Sequence, residues 1–259
     1  MADYLSGLFH LKGKVAVVIG GGGYLCSEMA DGLARCGVSI AILDKNEENV
    51  KGVTRRIEKA KADVLSLPVD VTRQDDLEFS LSEILKKFKR VDILINGAGI
   101  NAPTPFFDIT LNEWNAIIDS HATATFLACQ VFGKVMVKRK QGSIINMSSA
   151  SAGPPLSKAF TYSVAKAGVK NLTQNLAREW APYHVRVNAL RPGFFPTEWS
   201  KKNFIDKKRQ KAILGHTPMG RFGKPEELVG AVLWLSSDAA SFVTGAEITV
   251  DGGFTCMTI

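Results

Sequence analysis

The chain has 259 residues, 46% hydrophobic and 22% charged, a composition that excludes a disordered segment, a collagen-like repeat and a small disulfide scaffold. Its formal net charge of +7 comes from basic residues spread along the chain and dense only over 201–211, which reads as a solvated helix face or loop rather than a nucleic-acid arm. Nothing approaches the roughly 18–20 consecutive apolar residues of a membrane span, the N-terminus has no leader pattern, and Cys26, Cys36, Cys129 and Cys256 lack disulfide or metal-ligand spacing; the expectation is a cytoplasmic protein with no metal, nucleic-acid or membrane partner.

In chain order, short apolar runs rich in β-branched residues stand at 15–19, 38–43, 64–67, 92–95, 143–147, 186–190 and 247–250. Longer amphipathic stretches fall between them at 24–36, 47–59, 74–88, 111–138, 161–180 and 225–236. This alternation is the pattern of βαβ units building a parallel sheet covered on both faces. It predicts an α/β chain forming one domain over 1–259, a doubly wound parallel seven-stranded sheet with helices on both faces. Pro225 followed by Glu226 and Glu227 marks a first helical turn, where proline loses no needed donor and the acids face the positive end of the dipole.

The first strand runs into Gly20-Gly21-Gly22-Gly23 and straight into a helical pattern opening with Tyr24 and Leu25. Glycines there let backbone N–H groups and a helix N-terminus approach a pyrophosphate, since no Cβ obstructs the approach. The next strand ends at Asp44, 24 residues after Gly20, near the usual spacing for an acid that holds an adenosine ribose. Such a carboxylate accepts from both ribose hydroxyls and repels a 2′-phosphate, which favours NAD over NADP, although Lys45 is adjacent; alternatively, Asp44 caps the helix starting near Asn46. Further on, Tyr162 and Lys166 share one helix face, and Ser149 ends a strand at the edge where active-site loops emerge.

With the Gly20 turn, Asp70-Val71, Asn96-Gly-Ala-Gly99, Ser149, Tyr162/Lys166, Arg191-Pro-Gly193 with Thr197 and Val250-Asp-Gly-Gly253, the sequence resembles the short-chain dehydrogenase/reductase family over nearly its whole length. The resemblance implies a single-domain Rossmann fold binding NAD(P). Asp70 and Val71 would border the adenine, Asn96, Ala98 and Gly99 lie along the cofactor, and Pro192, Gly193, Phe195 and Thr197 touch the nicotinamide. Tyr162 would be the acid/base, Lys166 its activator and Ser149 the carbonyl orienter, in a homotetramer. The chemistry agrees: hydride transfer to a carbonyl needs a proton donor at oxygen, and a phenol with pKa near 10 is about three units too weak as a base at neutral pH. An ammonium about 4 Å away contributes roughly 4 kcal/mol at an effective dielectric near 20, about three pKa units.

Three glycine-turn positions depart from the family pattern: Ile19, Tyr24 and Cys26 stand where Thr, Gly and Gly are usual, which is expected to crowd the pyrophosphate and the helix packing. By the resemblance, His121 replaces an asparagine that holds a water linking the lysine to solvent; an imidazole titrating near pH 6.5 would hold that water, relay the proton itself, or equally obstruct the relay. The segment 194–216 is expected to be a substrate lid with aromatic walls, including Phe194, Phe195 and Trp199, and a cationic rim. The phrases 130–134, 192–195 and 214–227 are similar to sugar-acid and polyol members, which points to hydride transfer between nicotinamide and a carbonyl or secondary alcohol of that class. The alternatives are a reductase of 3-oxoacyl thioesters or other ketones, and a nucleotide-binding regulatory protein impaired in turnover.

Overall fold

The computed structural model describes residues 2–257; the side chain of Trp199, assigned above to the lid, lies outside the described part. Seven strands, β1 (Val15–Ile19), β2 (Ser39–Asp44), β3 (Val64–Pro68), β4 (Ile93–Asn96), β5 (Gly142–Met147), β6 (Val185–Pro192) and β7 (Glu247–Val250), pair in the order β3-β2-β1-β4-β5-β6-β7. Every pairing is parallel. The order reverses between β1 and β4, which opens a crevice at their C-terminal ends, where open α/β sheets bind ligands.

Alternation along each strand sends successive side chains to opposite faces, and both faces are buried. From β1, Ala16 and Val18 join Ile40, Ile42, Ile93 and Ile95 in one core layer, while Val15, Val17 and Ile19 join Leu43, Leu94 and Ile144 in the other. Helix α2 (Tyr24–Arg35) contributes Met29 and Leu33 to the first layer; α4 (Gln74–Phe88) and α6 (Ala124–Arg139) contribute Leu77, Phe132 and Met136 to the second. The remaining helices are α1 (Ala2–Leu8), α3 (Glu47–Lys59), α5 (Leu111–Ile118), α7 (Phe160–Trp180), α8 (Glu198–Phe204), α9 (Lys207–Gly215) and α10 (Val229–Ser236).

Two expected helices differ in detail. The stretch 111–138 is not one α-helix: a π-helical turn at Asp119–Thr123 separates α5 from α6. Such a turn accommodates one extra residue without breaking the helix, so the apolar period continues through it and the sequence carries no glycine or proline to mark it. At 225 the chain first makes a 3₁₀ turn, Pro225–Leu228, in which the Glu227 carboxylate accepts from the Lys224 N–H at 2.8 Å.

At the far end of the sheet, Asp92 is only 4% exposed and ties β1, β4 and α6 together. Its carboxylate accepts from the Val15 N–H at 2.9 Å, from Arg90 Nε and Nη2 at 2.7 Å each, and from Arg139 Nη1 at 3.3 Å. Replacing the acid by Ala strands a backbone donor and two guanidinium groups. Asp92→Ala is therefore expected to lower the unfolding free energy by about 3–5 kcal/mol, read from urea denaturation; a loss below about 1 kcal/mol would show that the network is dispensable.

Candidate active site

The crevice at the switch point holds a cavity of about 640 Å³ lined by Gly20, Gly23, Tyr24, Leu25, Gly99, His121, Ser149, Tyr162, Lys166, Pro192, Gly193, Phe195 and Thr197. It runs, through the shared Gly20, Gly23 and Gly99, into a second cavity of about 480 Å³ lined by Asp44, Lys45, Asp70, Val71 and Ala98. All the residues expected at the site therefore border one elongated groove, with one exception. Asn96 is buried behind it, donating from Nδ2 to Asn146 Oδ1 at 2.8 Å and to Cys129 Sγ at 3.4 Å. It braces β4 against β5 and α6 and does not line the groove.

The groove suits a dinucleotide. Gly20 has φ +71°, and a Cβ there would stand 2.7 Å from the Ala98 N atom, so the turn at the base of the groove tolerates no side chain. Gly23 caps α2 without a side-chain hydrogen bond, leaving the helix's first N–H groups directed at the cavity, an arrangement suited to a pyrophosphate. Asp44 Oδ2 accepts from the Gly22 N–H at 3.1 Å and Oδ1 from the Asn46 N–H at 2.9 Å, so each oxygen keeps a lone pair for a ribose hydroxyl. Asn46 itself caps α3, accepting from the Asn49 N–H at 3.0 Å; Asp44 is not the cap. Asp70 Oδ1 accepts from the Thr72 N–H and hydroxyl at 3.0 and 2.6 Å, and these bonds hold its carboxyl below the usual range.

The crowding expected at Cys26 is relieved from across the groove. A Cβ on Gly97 would collide with the Cys26 sulfur; glycine at 97 makes room for the thiol, which burial pushes up to about 12 and keeps neutral. Ile19 is a core residue, and Tyr24 stays half-exposed at the groove wall.

Tyr162 and Lys166 project from α7 toward the end of β5. The Lys166 amine donates to the Met147 carbonyl at 2.6 Å and sits 5.6 Å from the Tyr162 ring centre. Burial lowers its pKa to about 8. The Tyr162 phenol lies above its ordinary value because burial outweighs a hydrogen bond from Ser149. Burial is thus the larger influence on the phenol here, and the Lys166 amine, held by the strand carbonyl, stays beside the Tyr162 ring. Ser149 accepts from the Ser151 N–H at 3.2 Å, which fixes its hydroxyl at the cavity wall.

His121 departs most from expectation. The π-turn aims it inward, 5% exposed, with its ring 5.0 Å from that of Tyr162 and roughly perpendicular to it. Nε2 donates to the Ile100 carbonyl at 2.8 Å, so Nδ1 carries a lone pair; it is buried with no partner among the described residues. Burial, together with the Lys166 charge, lowers its pKa to about 3. With its pKa well below 6.5, the imidazole is neutral at physiological pH, unlike the ring titrating near 6.5 expected from the sequence. Gly99 packs against this ring, and a Cβ there would run into it.

A third cavity of about 270 Å³ opens beyond Ser149 and Tyr162, walled by Phe194, Phe195, Phe204, Asn101 and Arg209. Arg209 and Asn101 are the residues that sequence reasoning missed. Arg209 lies inside the basic run read as a solvated face, and only the turn between α8 and α9 brings it back over the site. Among the described residues no cluster of His, Cys, Asp or Glu has metal-ligand geometry, and no helix is long and apolar enough to cross a membrane.

A doubly wound parallel sheet with a side-chain-free turn, an acid at the end of β2 and a Ser–Tyr–Lys group at its switch point defines an oxidoreductase of the nicotinamide-dinucleotide type. A family model described as Enoyl-(Acyl carrier protein) reductase matches residues 25–255. The chain belongs to the short-chain dehydrogenase/reductase family and is an NAD(P)-dependent oxidoreductase acting on CH–OH groups. It is similar to an uncharacterised oxidoreductase, UxuB, of Bacillus subtilis, 41% identical over 95% of this chain and 96% of that one. NAD-dependent glycerol dehydrogenase of Listeria innocua is 36% identical, over 95% of this chain and 96% of its own. A crystal structure of a gluconate 5-dehydrogenase from Burkholderia cenocepacia in complex with NADP and tartrate superposes with a TM-score of 0.91 at 31% identity, covering 98% of this chain and 100% of that one.

A neutral His121 has a consequence for stability. The unfolded chain binds its imidazole proton near pH 6.5 and the folded chain only near 3, so the contribution is complete above pH 6.5 and declines as pH falls from there toward 3. His121→Asn is expected to shrink the stability lost between pH 7.5 and 5 by about 2 kcal/mol, measured by urea unfolding at both values. The same loss in variant and wild type would mean that the imidazole titrates normally in the fold.

Proposed function

We propose that the chain uses NAD in preference to NADP to interconvert a secondary alcohol and a ketone on a short, hydroxylated compound of the sugar-acid or polyol class. One observation carries this reading: Ser149 and Tyr162 stand where the dinucleotide-sized groove meets the 270 Å³ cavity, so a reacting carbon at the junction reaches cofactor and proton donor together. The relatives named for glycerol and gluconate support the substrate class. Asp44, with a free lone pair on each oxygen, supports NAD. The half-exposed Phe126, Phe160 and Val164 on α6 and α7 support association of copies into a homotetramer, and four free cysteines support a reducing, cytoplasmic setting.

In this reading Gly20, Gly23, Tyr24 and Leu25 hold the pyrophosphate, Asp44 the ribose, Asp70, Val71 and Ala98 the adenine side, and Gly99, Pro192, Gly193, Phe195 and Thr197 the nicotinamide side. A nicotinamide held by these residues would supply the hydride acceptor for an alcohol carbon and the hydride donor for a carbonyl carbon. Tyr162 takes the hydroxyl proton in oxidation and returns it in reduction, and Ser149 hydrogen-bonds the same oxygen and orients it. Lys166, whose amine lies 5.6 Å from the Tyr162 ring centre, stabilises the phenolate that forms; for a separation of that order the attraction is roughly 3 kcal/mol at an effective dielectric near 20, about two pKa units. His121 acts as a neutral ring whose free lone pair holds a water or a hydroxyl beside the phenol.

NADH formation at 340 nm across a panel of C4–C6 aldonates and alditols, each with NAD⁺ and NADP⁺, tests the reading. Turnover with several members and a preference for NAD⁺ is expected. Asp44→Ala should narrow that preference about 10-fold or more, the scale of a hydrogen bond to a charged group. No turnover of any member with either cofactor would refute the substrate class, and a wild-type preference for NADP⁺ would refute the role of Asp44.

A further inference from the structure

The wall of the 270 Å³ cavity opposite Ser149 and Tyr162 is formed by α9 and the loop after β4, and it carries two polar groups whose bonding is incomplete. Arg209 Nη2 donates to the Ser157 carbonyl at 2.6 Å. Its Nη1 is buried without a partner among the described residues, and so is Asn101 Oδ1. Buried polar atoms are normally satisfied, and two unmet groups of opposite kind on one cavity describe a complementary ligand: an anionic acceptor for the guanidinium and a hydroxyl donor for the amide oxygen.

The charges nearby agree. Lys158 pairs with Asp206 at 3.5 Å, and Asp206 Oδ1 is also engaged as the cap of α9, accepting from the Arg209 N–H at 2.8 Å. Two cations thus face one carboxylate, and the Arg209 guanidinium has no acidic partner within 4 Å among the described residues. The cavity lies just under the roughly 300–1,000 Å³ typical of small-molecule sites, a size that suits a short chain.

We propose that Arg209 is the specificity-determining residue and that it selects a hydroxylated carboxylate over the corresponding neutral polyol, with the carboxylate on Arg209, a hydroxyl on Asn101 Oδ1 and the reacting oxygen between Ser149 and Tyr162. This rests on the function proposed above and narrows it from two substrate classes to one. A guanidinium meets a carboxylate through paired N–H donors, whereas a terminal CH₂OH in the same place leaves the buried donor facing a weaker, uncharged acceptor.

The test compares kcat/KM for C4–C6 aldonates with that for the alditols of the same carbon skeleton, as in D-gluconate against D-glucitol, in wild type, Arg209→Met, Arg209→Lys and the control Lys208→Gln. Wild type should favour the best acid over its alditol by about 10- to 100-fold, the range of a hydrogen bond to a charged group. Arg209→Met should bring the ratio close to one, mainly through KM for the acid. Arg209→Lys should retain part of the preference, and Lys208→Gln, which removes a neighbouring exposed charge, should keep the wild-type ratio. Turnover of alditols equal to or better than acids in wild type, or an unchanged ratio in Arg209→Met, overturns the inference while leaving the oxidoreductase reading intact. Turnover of neither series by the wild-type enzyme overturns both.

Discussion

The Lys166 amine is fastened to the last carbonyl of β5 at 2.6 Å, and the geometry of the reactive centre follows from that bond. An ammonium in a buried site is costly unless it is hydrogen-bonded, so the strand end fixes where the charge sits, and α7 fixes Tyr162 one turn before it. The β5 carbonyl is in turn positioned by the parallel pairing of β5 with β4 and β6. Sheet register, lysine position and phenol position are thus one constraint. Burial brings the amine down from 10.5 to about 8 and pushes the phenol up from 10, so the two pKa values move apart and each group is biased toward its neutral form.

Around that pair the protein divides its labour along one groove. The half under β1, β2 and β4 is shaped by absence of side chains, at Gly20 and Gly97, and by backbone donors. The half under β5, β6 and the 194–216 segment is shaped by side chains: three phenylalanines, an amide and a guanidinium. His121 stands between the halves. Its proton on Nε2 is committed to the Ile100 carbonyl and its charge is suppressed by burial, so it contributes an acceptor and a flat wall to the junction and adds no further cation beside Lys166.

The fold was legible because its signals are local and repeated: Val15 to Ile19 and its counterparts place apolar residues on both faces, and no other class buries seven such runs. Tyr162, Lys166, Ser149 and Asp44 were legible because each sits at a fixed spacing from a strand end. The sequence did not reveal environment. His121 reads as a titratable side chain until Gly99 and the Ile100 carbonyl enclose it. Lys166 reads as a free ammonium beside a phenol, and the sequence does not show that the Met147 carbonyl anchors its amine. Asn96 belongs to a cofactor-lining motif by its neighbours, yet its side chain turns away into the β4–β5 layer. Arg209 was hidden by composition, since five nearby lysines make the run look like solvated surface and only the tertiary fold brings this guanidinium to the cavity wall.

The account stands or falls on the Tyr162 hydroxyl as the group that exchanges a proton with substrate. The direct measurement is a single-turnover experiment on Tyr162→Phe, following nicotinamide absorbance with substrate at saturation, beside a fluorescence titration of cofactor affinity. Loss of a proton-transfer group predicts a rate at least about 10²- to 10⁴-fold below wild type, with cofactor affinity unchanged because the ring and its packing remain. A hydride-transfer rate within a few-fold of wild type would contradict the account and assign the proton to another group.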